Sequence, residues 1–278
     1  MSIADTPVMA QPDTARAKPA RDWSQAVLNG YMMVFFAYMF LPLIFMVIAA
    51  FNASPTPSVT DWQGFTLDWF RKLPDDARFI QGLFHSLFIA AGVIVIAIPL
   101  GLSGALLLTR LETRGTTVLY TLLVSPILTP GIVLGVTTMI FWRDTFGVEA
   151  GLFTAMAAQA SFIASYCMLM FMARLQRQER TQEEAALDLG ASPWLVFRRI
   201  TLPFMMPTIA TASVLALLQS IENYNTTFFA IGGSWTLVTE IGARMRFGLS
   251  PMVNAIGVIF VVLTIVAATS WVLLKRKK

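Results

Sequence analysis

The sequence predicts an all-α membrane protein with six transmembrane helices and both termini in the cytoplasm. Three observations predict it. The chain is 56% hydrophobic and only 13% charged, where soluble domains carry about 25% charged residues. Its charges are spaced: none falls in 23–60, 79–109, 115–142, 150–173, 200–221 or 247–274. Each run reaches the roughly 20 apolar residues that cross about 30 Å of hydrocarbon. Alternating segments of about ten residues, the signature of a membrane β-barrel, are absent.

The first span is expected over Val27–Phe51 and the second over Gly82–Thr109. The third follows over Thr117–Phe141 and the fourth over Gly151–Ala173. The fifth is expected over Phe204–Ile231 and the sixth over Met252–Leu274. Pro42, Pro99, Pro126, Pro130 and Pro207 lie inside these spans, which bundles tolerate when neighbours re-satisfy the freed carbonyls. Residues 1–26 read as a disordered polar cytoplasmic tail with no secretory signal, 27–274 as the membrane domain, and 275–278 as a basic cytoplasmic end.

Lys and Arg set the orientation. Fourteen lie on the side that holds both termini, among them Arg110, Arg174, Arg177, Arg180, Arg198 and Arg199. Six lie on the other: Arg71, Lys72, Arg78, Arg143, Arg244 and Arg246. The sequence pI of about 9.5 is thus a topology signal. Scattered between apolar spans, the basic residues form no nucleic-acid groove. The lone cysteine, Cys167, falls within the fourth span as a packing residue. A single histidine, His85, makes no metal site and caps or packs at the second span. Arg244 and Arg246 read as interface anchors at the outer end of the sixth span.

One cytoplasmic loop, 174–203, is long and organised. Thr181-Gln182-Glu183-Glu184 has the form of a capping box, ahead of a short helix through Ala185, Ala186, Leu187 and Leu189. Gly190 suits the left-handed residue that ends a helix. Ser192 and Pro193 suit the N-cap and first position of a second helix carrying Trp194, Leu195, Val196 and Phe197. Arg198 and Arg199 lie near its end, and Pro203 marks the start of the fifth span. Two short helices hinged at a glycine make a knob suited to a groove on a cytoplasmic partner.

Within the expected spans one formal charge stands out, Glu222, in the polar run Gln219-Ser220-Ile221-Glu222-Asn223-Tyr224-Asn225-Thr226-Thr227. A charge inside a membrane costs about 2.5–3.5 kcal/mol on insertion scales and marks a functional candidate. On one helix Gln219, Ser220, Asn223 and Thr227 would share a face, with Glu222 at its border. Gln219, Glu222, Asn223, Tyr224 and Asn225 are therefore the candidate substrate pathway. The alternative role for Glu222 is an interhelical hydrogen bond or a pair with a second membrane chain. In the first outer loop Trp62, Phe65, Trp69 and Phe70 read equally as an aromatic belt or as a docking surface.

Glu184-Ala185-Ala186, Gly190, Ile200, Leu202 and Pro203 fall in the spacing E-A-A-x3-G-x9-I-x-L-P. At every defined position this resembles the motif of bacterial ABC-importer permeases, the inner-membrane subunits of binding-protein-dependent import. Trp62-Gln63-Gly64-Phe65-Thr66, His85-Ser86-Leu87 and Ser250-Pro251-x-x-Asn254-Ala255 resemble the spermidine/putrescine subfamily. The resemblance implies an ATPase dimer, a second homologous permease subunit and a periplasmic binding protein as partners. It makes the motif loop the coupling element, where Glu184, Ala185, Ala186, Asp188, Gly190, Ser192 and Arg198 are the candidate ATPase-coupling residues; Trp62, Phe65 and Trp69 are the candidates for docking the binding protein.

No G-x-x-x-x-G-K-[ST] run occurs, so the chain is expected to have no catalytic residue and no cofactor, with ATP and Mg on the partner ATPase. The implied cargo is a small organic solute, a polyamine or related amine. The polyamine pattern places acids where this chain has Asn223 and Gly131. Those departures leave an amino acid or opine-like cargo open. A stand-alone ion-coupled carrier is the rival class.

Overall fold

The computed structural model describes residues 23–110, 115–247 and 250–275. The expected tail over 1–22 and basic end over 276–278 lie outside them. Among the described residues there is no β-strand, only an isolated antiparallel bridge between Asn52 and Phe65. Four helices are long and apolar enough to cross a membrane: α1 (Trp23–Ala50), α3 (Ala77–Arg110), α6 (Leu152–Leu175) and the run Pro193–Ile221. Helix α1 begins at Trp23, so 23–26 belong to the helix and not to the tail.

The third span is not one helix. Helices α4 (Thr116–Leu128) and α5 (Gly131–Phe146) meet at 107°. The cause is local: Pro130 disfavours the helical region for the residue before it, and Thr129 is extended with ψ 130°. Taken as one broken span, the pair makes a fifth crossing by length and composition. Helix α12 (Pro251–Lys275) is apolar as well.

Helices α3 and α6 form the central pair. Gly101 lets them touch: a Cβ there would lie 2.8 Å from the Ala164 carbonyl oxygen and 2.9 Å from the Met168 nitrogen. Small residues at such contacts let membrane helices approach closely. Ile89, Val93, Ala97, Ile163, Met168 and Phe171 fill the seam, joined by Met205, Ala212 and Ala216 from the long helix after the knob. Helix α1 packs against α12 and is buried only at Ala49 and Ala50.

The connections after α1 and before α12 are held by specific side-chain bonds. Asn52 is buried and organises the first loop. Its Nδ2 donates to the carbonyls of Ser58 and Asp61, while its Oδ1 accepts from the N–H groups of Ser54 and Gln63. Trp69, on the short helix α2 (Asp68–Lys72), donates its Nε1–H to the Asn52 carbonyl at 2.8 Å. Phe65 and Phe70 each lie against the Phe51 ring. Of the aromatics assigned to docking, Trp69 is engaged in holding the loop, whereas Trp62 is half exposed.

The segment before α12 contains an unanticipated helix, α11 (Leu237–Phe247). His85 Nδ1 contacts the Trp235 carbonyl at 2.8 Å, Ser86 Oγ accepts from the Leu237 N–H, and Gly82 makes room beneath Leu237. Arg244 is no surface anchor. It bridges Asp76 and Glu240 at 2.8 and 2.9 Å, stacks over Phe79, and shares Glu240 with Arg78. Burial alone would raise the pKa of both carboxyls. For Asp76 the Arg244 hydrogen bond and charge, with backbone hydrogen bonds at Phe79 and Arg78, outweigh burial and hold it below its ordinary 3.8. For Glu240 the bonds and charges of Arg244 and Arg78 do the same against an ordinary 4.5.

A depressed carboxyl pKa contributes stability that is full above the ordinary value and is lost as pH falls through the depressed one. Melting of the purified protein should therefore be flat near neutrality and drop on acidification below about pH 4. Arg244→Met leaves the half-buried Asp76 without its cation and the buried Glu240 with Arg78 alone, and should cost about 3 kcal/mol at neutral pH, with a weaker acid dependence. A neutral-pH melting temperature equal to that of the unmodified chain would contradict this.

Candidate functional site

The long helix after the knob breaks as well. Helix α9 (Leu202–Ile221) stops before Glu222, and a short helix α10 (Asn225–Ala230) follows. The expected span Phe204–Ile231 is thus interrupted within its polar run. Neither Gly nor Pro lies at the break. The Asn223 side chain causes it: Oδ1 accepts from the N–H groups of Thr226 and Thr227 at 3.1 and 3.2 Å, competing with the helical ladder. Ser220, Asn223 and Thr227 consequently do not share one helical face.

What holds this break is Gln159 on α6, only 1% exposed. Its Nε2 donates to Thr227 Oγ1 at 2.6 Å, and its Oε1 accepts from Ser220 Oγ. One side chain therefore bonds both sides of the break, and Thr227 Oγ1 continues the chain to Asn223 Oδ1 at 3.3 Å. Thr154, five residues earlier on α6, donates to the Ala230 carbonyl at the far end of α10. On its other side α10 meets α5. A Cβ on Gly131 would lie 2.7 Å from Thr226 Oγ1, and one on Gly135 would lie 2.5 Å from the Thr226 carbonyl oxygen. These glycines, one helical turn apart, seat the two breaks against each other.

Between the breaks lies a cavity of about 360 Å3. Pro126, Ile127, Thr129, Gly131 and Leu134 line it from the first break, and Gln219 with 222–226 from the second. Phe162 and Tyr166 of α6 complete the wall. The five pathway candidates all lie here. Glu222 is exposed, and Gln219 Nε2 donates to its Oε1 at 3.1 Å. Asn223 lines the cavity, but its Oδ1 caps α10. Tyr224 stacks on Phe228 and abuts Gly242 of α11. Sequence reasoning missed Phe162, Tyr166 and Gln159, which carry no charge and sit in an apolar run. An amide or aromatic every three to four residues along 155–166 was the available signal.

At the other end of the long helix the knob takes its expected outline with altered joints. Helix α7 (Arg180–Asp188) starts one residue before Thr181, which lies inside the helix, so no capping box forms. Glu183 is instead buried and bonded to Arg110, Gln178 and Thr201, which draws the chain into a helix earlier. Gly190 is left-handed at φ +86°. Ser192 Oγ accepts from the Leu195 N–H at the head of α8 (Pro193–Val196). A π-helical turn, Phe197–Thr201, then joins α8 to α9. Pro203 therefore lies within a continuous helical run, not at the start of a separate span. Glu184, Ala185, Asp188 and Arg198 are exposed and Ala186 half-buried. Leu189 (89% exposed) and Trp194 (68%) leave an apolar surface on the knob.

Residues 97–278 match the family described as binding-protein-dependent transport system inner membrane component. Over 251 residues the chain is 29% identical to the spermidine/putrescine transport system permease protein PotC of Escherichia coli K12, covering 90% of this chain and 94% of that protein. It is 30% identical to the putrescine transport system permease protein PotI of the same organism, covering 88% and 89%. Among solved structures, a bacterial ABC transporter involved in import of the acidic polysaccharide alginate superposes with a TM-score of 0.67. That chain is 18% identical, with 88% of this chain and 92% of that one covered.

Gln159→Leu keeps the volume and leaves the Ser220 and Thr227 hydroxyls without their partner. An unsatisfied buried polar group costs about 1–3 kcal/mol, so the melting temperature should fall and uptake with it. Unchanged melting would show that the break does not depend on Gln159.

Proposed function

The chain belongs to the binding-protein-dependent transport system inner membrane component family, and from that premise we propose that the cavity between its two helix breaks receives a small organic amine, a polyamine or a close relative. The chain is a permease subunit of an ABC importer and a multi-pass membrane protein, and hydrolysis belongs to a separate ATPase subunit. We read α12 as the sixth span, with both termini cytoplasmic by the charge asymmetry.

One observation carries the reading: an exposed carboxylate, Glu222, sits in the second of the two helix breaks and lines the cavity together with Tyr166, Phe162 and Tyr224. Irregular backbone at membrane depth is tolerated only where it is buried in protein or lines a cavity. Discontinuous helices are how many transporters build substrate sites. A carboxylate attracts an ammonium group, and aromatic faces add cation–π attraction of about 0.5–2 kcal/mol. The names of the polyamine permeases PotC and PotI support the same class. A second reading, an amino acid or opine-like cargo, is favoured by Gly131. Its close contact with Thr226 leaves no room for a second acid on that wall.

The knob over 174–203 is the coupling element, seated in a cleft of an ATPase dimer that holds ATP and Mg. Its exposed face, with Glu184, Leu189 and Trp194, supports that role. ATP binding closes the dimer and moves the knob. The cavity then turns outward towards a periplasmic binding protein, and hydrolysis resets it. A second, homologous permease supplies the opposite wall of the path, and Phe65 and Trp62 are the exposed aromatics for docking the binding protein.

Glu222→Gln keeps the shape and removes the charge, whereas Glu222→Asp keeps the charge and shortens the reach. Uptake of a labelled amine by the assembled transporter should fall further with Gln than with Asp, at unchanged complex yield. Full uptake by the Gln variant would remove Glu222 from the path. Glu184→Lys and Gly190→Val should each abolish uptake while the binding protein keeps its affinity. Normal uptake by both would sink the coupling assignment.

A further inference from the structure

Glu183 has no part in the path above and does not face the knob's exposed surface. It precedes the exposed Glu184 on α7 and is only 8% exposed. A single oxygen, Oε1, accepts from three other parts of the chain. Arg110 Nη2, at the last residue of α3, lies at 2.5 Å. Gln178 Nε2, in the turn after α6, lies at 2.9 Å. Thr201 Oγ1, at the end of the π-helical turn, lies at 2.7 Å. From the start of α7, Arg180 also donates to the Thr109 carbonyl of α3. A buried carboxylate is costly unless paired and hydrogen-bonded, and a guanidinium plus two neutral donors meet that need.

The mechanical position is the telling part. The knob is continuous with the rest of the chain at two places: the turn 176–179 and the π-helical turn 197–201. π-helical turns inside helices are frequent at functional sites. Joined only through those two, the knob would tilt without carrying the spans with it. Glu183 bridges both joints and adds a third tie, to α3. Helix α3 is the element packed most closely on α6, which in turn holds the cavity break through Gln159.

We propose that Glu183 is a positioning residue for coupling: its carboxylate locks α7 to the ends of α3, α6 and α9, so that displacement of the knob moves those helices as one body. This rests on the reading of 174–203 as the coupling element, and it extends that element from the surface presented to the ATPase to the buried clamp behind it.

The test uses the complete transporter in proteoliposomes with substrate-loaded binding protein, comparing Glu183→Gln, Glu183→Asp and Thr201→Val. Uptake, basal ATPase, binding-protein-stimulated ATPase and complex yield are measured together. Glu183→Gln should assemble at the normal yield with basal hydrolysis intact. Its stimulated hydrolysis and uptake should fall about tenfold, the factor that one hydrogen bond to a charged group is worth. Thr201→Val should show a smaller loss of the same kind, and Glu183→Asp should be intermediate. Adding Arg110→Met to Glu183→Gln should add little, because both remove one interaction.

Wild-type stimulation in Glu183→Gln would overturn the proposal. So would a loss of complex yield that matches the loss of uptake in every variant, since the clamp would then serve folding alone. Failure of the coupling reading is separable: it shows as normal uptake by Glu184→Lys. An inactive Glu184→Lys beside a fully coupled Glu183→Gln would remove the clamp only.

Discussion

A helix broken inside a membrane must find partners for the groups it frees, and here one side chain on a neighbouring helix supplies them. Gln159 bonds Ser220 before the break and Thr227 after it, so α6 fixes the angle at which α9 hands over to α10. Without that bond the Asn223 cap would hold a loose end. The Gly131 and Gly135 contacts would then have nothing firm to seat against. The cavity is therefore a consequence of a polar network, and Gln159, Ser220 and Thr227, which align its walls, do not line it. Gln159, Ser220 and Thr227 are all buried, so losing one partner leaves the others unsatisfied.

The same chain separates stiff parts from soft ones. The α3–α6 pair is close-packed through Gly101 and runs towards the knob. The helices break at Thr129–Pro130 and at 222–224, and a π-helical turn interrupts the regular α-helix at 197–201. Two of these bound the cavity and the third joins the knob. Under the coupling role proposed for the knob, its motion would meet the α3–α6 pair before the breaks, a division into rigid bodies and irregular backbone that suits alternating access.

Much of this was legible in the sequence, and the failures have local causes. Uninterrupted apolar runs located α1, α3, α6 and α12, because burial in lipid leaves no room for charge. The knob was legible because Gly190, Ser192 and Pro193 each demand a particular backbone conformation, which they adopt. The capping box failed because Glu183 is drawn to Arg110 and Thr201, residues distant in sequence. Pro130 broke its helix while Pro99 and Pro207 did not. A proline disfavours the helix for the residue before it at all three places, but only Thr129 takes up the extended conformation. The second break rests on Asn223 and on Gln159, more than sixty residues upstream, a pairing no local pattern reveals. Glu222 was conspicuous as the one charge in an expected span, whereas Tyr166 and Phe162 were hidden by their ordinary hydrophobic appearance.

In the proposed function the paired breaks border a cation-selective stretch of the path. Asn225 lies in the cavity and is exposed, and the native Cys167 is buried. The most direct measurement is the labelling rate of Asn225→Cys, in a Cys167→Ala background of the assembled transporter, by cationic and anionic thiosulfonates of equal size. The cationic reagent should react faster, the preference should vanish in Glu222→Gln, and a saturating amine delivered by the binding protein should protect the thiol. Equal rates for the two reagents, with no protection by the amine, would contradict the account.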